Sequence, residues 1–309
     1  MGCEISFVIP CYNSEKTITR VIDEIKASVT EKDYEIILIN DGSKDNVYEV
    51  IRDLADKDKK IKVIDLIRNF GQHSALMTGL RYSEGDIVVC LDDDGQTPAD
   101  EYEKLVKGVR EGFDVVYAKY DNKQHSLFRN FGSKLNDIMA CLMLNKPKDL
   151  YLSSYFACNR LVVDEIVKYQ NPFPYLAGLV LRTTTRIKNV PVNHRKRETG
   201  ESGYTLSKLI GLWMNGFTAF SVKPLRIATT IGFLIAILGF LYGIILIIRK
   251  ITNNIEILGY SSIMASMLFI GGLVMIMLGL IGEYLGRIYI CLNNQPQAIV
   301  RNTINIKKK

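Results

Sequence analysis

The chain has 309 residues, of which 48% are apolar and 23% are charged, and this composition excludes a disordered chain. The length allows one domain of ordinary size with a smaller second part. Its 39 basic and 33 acidic residues give a net charge of +6, and no run of basic residues is longer than three, so we expect no nucleic acid partner.

Short apolar strands alternate with amphipathic helices in the first part of the chain. We predict strands at 5–9, 35–39, 61–66 and 87–91, with Pro10 ending the first, and helices between them with apolar residues at helical spacing. This alternation indicates an α/β fold, in which helices cover both faces of a mostly parallel sheet. Sheets of this kind bind ligands beyond the carboxyl ends of their strands.

Polar clusters follow three of the predicted strands at that edge. They are Tyr12-Asn13, Asp41 and Asp92-Asp93-Asp94. Carboxylates two positions apart can converge on one hard divalent cation. Water and the phosphate oxygens of a substrate would complete the coordination shell of that cation. A solvated acidic turn is the alternative for an isolated triplet, but its position beside Asp41 favours the cation. The glycine-rich signatures of dinucleotide-binding and P-loop proteins do not occur in the sequence.

Two uncharged stretches near the end of the chain are long enough to cross a membrane. Residues 227–248 and 261–282 each comprise 22 positions without a charged side chain. At about 1.5 Å per residue, each can span a hydrocarbon core of about 30 Å; a pair of buried core helices is the alternative. Basic residues flank the outer ends of this hairpin, so the positive-inside rule places the bulk of the chain and both termini in the cytoplasm. We therefore predict a multi-pass protein of the cell (inner or plasma) membrane, and the six scattered cysteines agree with a reducing compartment.

The segment before the hairpin is rich in aromatic and apolar residues. We predict an interfacial helix at 204–226 that lies on membrane lipids, with a linker helix packed on protein as the alternative. The predicted organisation is a cytoplasmic domain at 1–203, this helix, and a transmembrane hairpin with a short cytoplasmic tail at 227–309. Glycines in the second span allow close packing within one hairpin or between copies in a homo-oligomer.

Several short motifs, taken in order, resemble those of a known family. Pro10-Cys11-Tyr12-Asn13, Asn40-Asp41-Gly42-Ser43 and the acidic triplet resemble a family 2 glycosyltransferase of GT-A fold. Further matches are Arg68-Asn69-Phe70-Gly71-Gln72, Asp94-Gly95-Gln96-Thr97-Pro98, His194-Arg195-Lys196-Arg197 and Gly200-Glu201-Ser202-Gly203-Tyr204. Together with the hairpin, they resemble the polyprenyl-phosphate glycosyltransferases, the group of the bactoprenol glucosyltransferases and dolichyl-phosphate mannose synthase. The resemblance covers nearly the whole chain.

The resemblance implies roles for the matching residues. Asp41 would bind the base of a nucleotide sugar, in a pocket lined by Pro10 and Tyr12. Asp92 would face the ribose and the metal, while Asp94 and Gln96 would ligate Mg²⁺ or Mn²⁺. Arginine binds phosphate oxygens in a bidentate manner, which suits Arg129, Arg195 and Arg197 to contacts with the diphosphate or the lipid phosphate. A basic surface facing solvent or lipid headgroups is the alternative for the cluster at 194–197. The remaining residues assigned to substrate binding are Asn13, Arg68, Asp93, Lys134 and Ser202.

One position departs from the pattern of the family. Many relatives have an acidic residue, proposed as a catalytic base, in the strand that corresponds to 152–156, and this chain has Ser154 there. A phosphate acceptor needs no base, because the second pKa of a phosphate monoester is about 6 and much of it is already dianionic at neutral pH. We therefore expect Ser154 to contact the sugar or the phosphate without acting as a base.

The implied activity is metal-dependent, inverting transfer of one sugar from a nucleotide diphosphate sugar to a polyprenyl phosphate. A UDP-sugar and undecaprenyl phosphate are the expected substrates, and the product would be a lipid-linked sugar for modification of cell-envelope glycans. Two alternatives stay open: a glycosyltransferase with another lipid acceptor, and a non-catalytic membrane sensor that binds a nucleotide sugar. A processive synthase is disfavoured because the one tryptophan, Trp213, does not lie in a Gln-x-x-Arg-Trp motif.

Overall fold

A computed structural model of the chain describes residues 3–120, 141, 146–193, 223–252, 259–293 and 295–306. The chain divides into two units. One comprises Met1–Ile210 together with Asn294–Lys309, and the other comprises Gly211–Asn293.

The first unit is built on one mixed sheet. Its strands are β1 (Ile5–Cys11), β2 (Tyr34–Asn40), β3 (Ile61–Leu66), β4 (Ile87–Cys90), β5 (Val115–Tyr120), β6 (Phe156–Asn159), β7 (Ile187–Val192) and β8 (Val300–Ile304). They lie in the order β7-β5-β6-β4-β1-β2-β3-β8. The pairs β1–β2, β1–β4, β2–β3 and β5–β7 are parallel, and β6 and β8 run antiparallel to their neighbours. The sheet is therefore parallel at its centre, as the alternation of strands and helices predicts.

Amphipathic helices cover this sheet. They are α1 (Ile18–Ser28), α2 (Val47–Lys57), α3 (Gln72–Tyr82), α4 (Tyr102–Arg110), α5 (Arg160–Ile166) and α6 (Leu176–Thr183), and a 3₁₀ turn at Ala99–Glu101 precedes α4. In α1, the buried side chains are Ile18, Val21, Ile22 and Ile25, at the spacing that forms one face of a helix. All seven residues of β1 are buried, as expected for a central strand with helices on both faces.

Two strand boundaries differ from the sequence prediction. β1 continues through Pro10 to Cys11, where it still pairs with β2. The Val8 carbonyl faces β4 and the Cys11 carbonyl faces β2. Successive residues of a strand direct their backbone groups to opposite sides, so the nitrogen of Pro10 faces β4. The pairing of β1 with β4 has already ended at this position, so the N–H group that proline lacks is not needed for a hydrogen bond between the strands.

The strand predicted at 152–156 begins only at Phe156. Its partner β4 ends at Cys90, which pairs with Phe156, so residues before 156 lack that neighbour. On the other side, the Ala118 amide of β5 still donates to the Tyr155 carbonyl at 2.9 Å. Side chains bond the rest of the segment: Ser153 Oγ donates to the Tyr155 carbonyl, and Asn189 Oδ1 accepts from the Tyr151 amide.

The C-terminal residues also differ from the predicted division. The sequence analysis grouped them with the hairpin as a tail, whereas residues 300–304 form β8 at the edge of the sheet, antiparallel to β3. An unpaired edge strand exposes a row of backbone donors and acceptors, and β8 covers that edge of β3.

The second unit contains two long helices, α7 (Lys223–Ile251) and α8 (Tyr260–Leu292), which contact each other. Within the described residues, Phe269–Leu292 of α8 is long and apolar enough to cross a membrane, and α7 contains a shorter apolar stretch at Ala228–Tyr242. Large apolar side chains are exposed along both helices, including Phe233, Phe240 and Met275. Exposed apolar surface of this extent indicates contact with lipid or protein rather than water.

Candidate active site

The carboxyl ends of β1, β2 and β4 meet at one edge of the sheet. Cys11 and Asn40 are register partners at the ends of β1 and β2, and the Asp41 amide donates to the Cys11 carbonyl at 2.9 Å. On the other side of β1, the Leu91 amide after β4 donates to the Val8 carbonyl at 3.3 Å. The polar residues that follow these three strands are therefore brought together by the sheet itself.

Asp41 is buried and holds the loop between β3 and α3. Its Oδ1 accepts from the Phe70 amide at 2.7 Å and its Oδ2 accepts from the Gly71 amide at 2.9 Å. Burial raises the pKa of Asp41 above its ordinary value, and these two amide bonds oppose the rise. The sequence analysis assigned Asp41 to the nucleotide base; the structure shows that this carboxylate also fixes residues 68–72.

Gly42 packs directly against the same loop. Its φ is +61°, and a Cβ there would lie 2.3 Å from the Arg68 carbonyl carbon and 2.4 Å from the Asn69 nitrogen. Only glycine fits both the left-handed backbone and this close approach. The Asp41-Gly42 pair is thus the clamp that joins the β2 turn to the loop at 68–72.

The three carboxylates of the acidic triplet point to different partners. Asp92 Oδ1 accepts from Gln72 Nε2 at 2.8 Å, and its Oδ2 accepts from Ser154 Oγ. Asp93 Oδ2 accepts from the Tyr12 amide at 2.9 Å. Asp92 therefore links α3 to the segment before β6, whereas Asp93 supports the turn after β1.

Burial and neighbouring charge act on the protonation of Asp92. The pKa of Asp92 is raised to about 6: burial raises it most, the Ser154 and Gln72 hydrogen bonds lower it, and the carboxylates of Asp94 and Asp93 raise it. Tyr120, at the end of β5, has its pKa raised by burial and then by the charge of Asp92, so this side chain lies within range of the electrostatic field of that carboxylate.

Asp94 lies in a tight turn suited to a divalent cation. Its Oδ1 accepts from the Gln96 amide at 3.0 Å, across Gly95 with a φ of +71°. Among the described residues, no group of three or more histidine, cysteine or acidic side chains could hold a metal alone. Mg²⁺ is typically bound by one or two carboxylates together with substrate phosphates, and the oxygen donors of Asp94 and Gln96 fit such a site. Asp92, also predicted as a ligand, has both oxygens engaged by Gln72 and Ser154.

The predicted donor-binding residues of the first turn lie around this edge. Pro10 is buried in β1, and the Tyr12 side chain is 45% exposed. Asn13 has a φ of +54°, accepts from the Lys44 amide through Oδ1 at 2.9 Å, and donates its own amide to Ser43 Oγ at 3.1 Å. Arg68 is exposed, with its guanidinium carbon 4.8 Å from the centre of the Phe70 ring. Tyr12 and Arg68 are thus open to a ligand, while Asn13 ties two turns together.

The segment that carries Ser154 is fixed from both sides. Asn189 on β7 donates to the Tyr151 carbonyl at 2.7 Å, and the buried Lys146 donates to the Pro147 carbonyl at 3.1 Å and to the Leu150 carbonyl. These bonds order the chain before Ser154, whose hydroxyl donates its proton to Asp92.

The remaining predicted site residues, Arg129, Lys134, Arg195, Arg197 and Ser202, lie outside the described residues. Residues 204–222 of the helix predicted at 204–226 also lie outside them, and its last four residues form the start of α7. Conversely, the sequence analysis quoted Gln72 in a motif but gave it no role, and it missed Tyr120 entirely. The position of Gln72 directly after Gly71, at the start of α3, is the signal that points it toward the site. No sequence signal marks Tyr120.

Comparisons with known proteins agree with this geometry. A family described as Glycosyl transferase family 2 matches residues 6–168, more than half of the chain. The chain belongs to this family. A second family, described as GtrB C-terminal hairpin, matches residues 223–288. The sequence predictions of a family 2 glycosyltransferase, of a GT-A-type fold and of a C-terminal helical hairpin are confirmed.

Two relatives of this glycosyltransferase align over nearly their whole length. An uncharacterised glycosyltransferase of Bacillus subtilis, YkcC, is 33% identical over 99% of this chain and 96% of its own. An undecaprenyl-phosphate 4-deoxy-4-formamido-L-arabinose transferase of Proteus mirabilis is 33% identical over 99% of this chain and 95% of its own. Among solved structures, glucosyl-3-phosphoglycerate synthase of Mycobacterium tuberculosis, in complex with Mn²⁺, UDP-glucose and phosphoglyceric acid, superposes with a TM-score of 0.52. At 20% identity over 69% of this chain and 78% of that one, this likeness shows the fold.

Proposed function

We propose that this glycosyltransferase transfers one sugar from a UDP-sugar to a polyprenyl phosphate, such as undecaprenyl phosphate, with inversion at the anomeric carbon. The observation that carries the proposal is the convergence of Asp41, Asp92 and Asp94 at one sheet edge, in a chain that also contains an apolar helical hairpin. The relatives named for undecaprenyl phosphate support this acceptor, and the Mn²⁺ and UDP-glucose of the solved structure support the donor and the metal.

The donor would bind across the clamped loops. The exposed Tyr12 ring and the loop at 68–72 flank the carboxyl edge, where Asp41 and the turn at 40–43 would receive the nucleotide. Asp94 and Gln96 would hold Mg²⁺ or Mn²⁺. When bound there, the cation would offset the negative charge that develops on the departing diphosphate.

The acceptor would react without a protein base. An oxygen of the lipid phosphate attacks the anomeric carbon, the bond from that carbon to the diphosphate breaks, and nucleoside diphosphate leaves on the opposite face. The attacking oxygen carries no proton at neutral pH, because the second pKa of a phosphate monoester is about 6. Ser154 donates to Asp92 and is not placed to remove a proton. The protein then acts by positioning the two substrates.

The hairpin would keep the active site at the membrane. Lysine and arginine residues flank the outer ends of α7 and α8, which favours a cytoplasmic catalytic unit, where nucleotide sugars are made. A site at headgroup depth can reach the phosphate of a lipid whose chain stays in the bilayer. The lipid-linked sugar would then serve the modification of cell-envelope glycans.

The experiment uses the purified full chain in detergent with Mn²⁺, undecaprenyl phosphate and a panel of labelled nucleotide sugars. We expect label from one donor to enter the organic phase only when the lipid phosphate is present. Asp94→Asn should abolish this transfer, while Asp100→Asn, an exposed carboxylate nearby on the 3₁₀ turn, should retain it. Nucleotide release without a lipid product would refute the acceptor, and binding without turnover would favour the sensor.

A further inference from the structure

We propose that Arg301, on the C-terminal strand, is a positioning residue for the donor site, because it holds the two loops that would bind the nucleotide. The proposal rests on the proposed function and extends it to a part of the chain that comes after the hairpin.

Arg301 is placed by an irregularity in the pairing of β3 with β8. Asp65 pairs with Asn302, but the next residue, Leu66, pairs with Val300. Arg301 is therefore the extra residue of a β-bulge, opposite no single partner. Bulges redirect side chains and are frequent beside active sites. Here the bulge lies at the carboxyl end of β3, where the loop to α3 begins.

The first contact of Arg301 is with that loop. Its Nη2 donates to the Ile67 carbonyl at 3.0 Å. The Ile67 amide donates in turn to the Ile299 carbonyl at 3.1 Å, so the C-terminal segment binds both polar backbone groups of Ile67. Three residues further along the loop, the amides of Phe70 and Gly71 donate to Asp41. The loop is thus fixed at its start by the C-terminal segment and at its end by the site.

The second contact of Arg301 leads to the turn after β2. Its Nη1 lies 3.5 Å from Asp65 Oδ2, and Asp65 is buried. Asp65 Oδ1 accepts from Asn40 Nδ2 at 2.7 Å, and Asn40 Oδ1 accepts from the Ser43 amide at 3.1 Å. A chain of three polar contacts therefore runs from Arg301 to the turn at 40–43, which contains Asp41.

These contacts separate a positioning role from a general contribution to stability. Asn305, at the other end of β8, also anchors the strand: its Nδ2 donates to the Ala55 carbonyl at 2.7 Å and to the Ile61 carbonyl at 2.9 Å. Its partners lie on α2 and at the amino end of β3, away from the site. Losing either anchor weakens the attachment of β8, but only the loss of Arg301 frees the two donor loops.

The test compares Arg301→Ala, Arg301→Lys and Asn305→Ala in the full chain. Binding of UDP with Mn²⁺ is measured by titration calorimetry, with GDP and CDP as alternative probes, and exchange of the amides at 67–72 is followed by mass spectrometry. We expect Arg301→Ala to weaken nucleotide binding about five- to tenfold, the order expected for the net loss of one largely exposed hydrogen bond, and to speed exchange in the loop. Arg301→Lys should recover most of the affinity, because an ammonium can still donate to the Ile67 carbonyl.

Asn305→Ala should lower the melting temperature yet keep the nucleotide affinity within about twofold of the unsubstituted chain. Equal affinity in Arg301→Ala and the unsubstituted chain, or equal losses in the Arg301 and Asn305 variants, would overturn the positioning role. If the unsubstituted chain binds none of the three nucleotides, the proposed function fails. The positioning role is then tested by amide exchange at 67–72. Faster exchange in Arg301→Ala alone supports that role, and the same exchange rate in all the chains rejects it.

Discussion

Replacing Gly42 by alanine places a methyl carbon inside the backbone of the loop at 68–72. The new Cβ would lie 2.3 Å from the Arg68 carbonyl carbon, and neither that atom nor the Asn69 nitrogen belongs to a side chain that can rotate away. Carbon atoms pack at about 3.5–4.0 Å, so the loop must move by roughly 1 Å. We therefore expect this single methyl group to separate the turn after β2 from the loop.

The magnitude follows from the bonds that this movement lengthens. Asp41 accepts from Phe70 at 2.7 Å and from Gly71 at 2.9 Å, and a shift of roughly 1 Å takes such bonds beyond useful length. Loss of one hydrogen bond to a charged group costs about 1.5–3 kcal/mol, and an alanine in the left-handed region costs about 1–2 kcal/mol more. We expect Gly42→Ala to lower the free energy of unfolding by about 2.5–5 kcal/mol and to weaken binding of UDP at least about tenfold.

Gly71→Ala is the matched control. Gly71 lies in the same loop with a φ of +91°, but a Cβ there meets nothing within 4 Å. With a ψ of 154°, its backbone lies in a region that almost only glycine adopts, so the variant should lose only a backbone cost of about 1–3 kcal/mol. Thermal unfolding in detergent and titration with UDP and Mn²⁺ measure both effects. Equal losses of stability and affinity in the two variants would refute the reasoning, because they would show that the close approach of Gly42 to Arg68 has no consequence.

Two further predictions concern the protonation and hydrogen bonding of the site. Ser154→Ala should retain substantial turnover in the transfer assay, because the acceptor phosphate needs no base; complete loss with intact donor binding would contradict this. His73 is held neutral, since burial lowers its pKa to about 4. The unfolded chain takes up a proton below about pH 6.5 and the folded chain does not, so the free energy of unfolding should fall by up to about 1.4 kcal/mol per pH unit between about pH 6.5 and pH 4. His73→Phe should remove that part of the acid sensitivity in chemical unfolding; an unchanged profile would show that His73 is not its source.

The location of the site could be predicted from the sequence because it depends on the pattern of the strands. Apolar runs fix which residues form parallel strands, and the carboxyl ends of such strands share one edge, so Asp41 and the acidic triplet had to lie close together. The hairpin could be predicted for a similar reason, since its 22-residue uncharged stretches depend on composition alone.

The division of work among the site residues could not be predicted in this way. The paths of the loops decide which oxygen of Asp92 contacts Gln72 and which contacts Ser154, and they also decide that Asp41 accepts from two amides. Such loop paths leave no periodic pattern in the sequence. The joining of β8 to the sheet was missed because five residues near the end of a chain carry little apolar pattern, and their pairing with β3 spans more than two hundred positions. The prediction that Pro10 ends β1 was wrong because it used local propensity alone. The pairing with β4 ends before Pro10, so the N–H group that proline lacks is not needed there.

The acceptor specificity tests the central claim most directly. The full chain is given the donor that it uses and, in parallel, undecaprenyl phosphate or undecaprenol in the same detergent. The account predicts transfer to the phosphate alone, with a product that carries a glycosyl phosphate linkage of inverted anomeric configuration. Transfer to the alcohol at a comparable rate would contradict it, because a hydroxyl acceptor needs a base that the serine at position 154 does not supply.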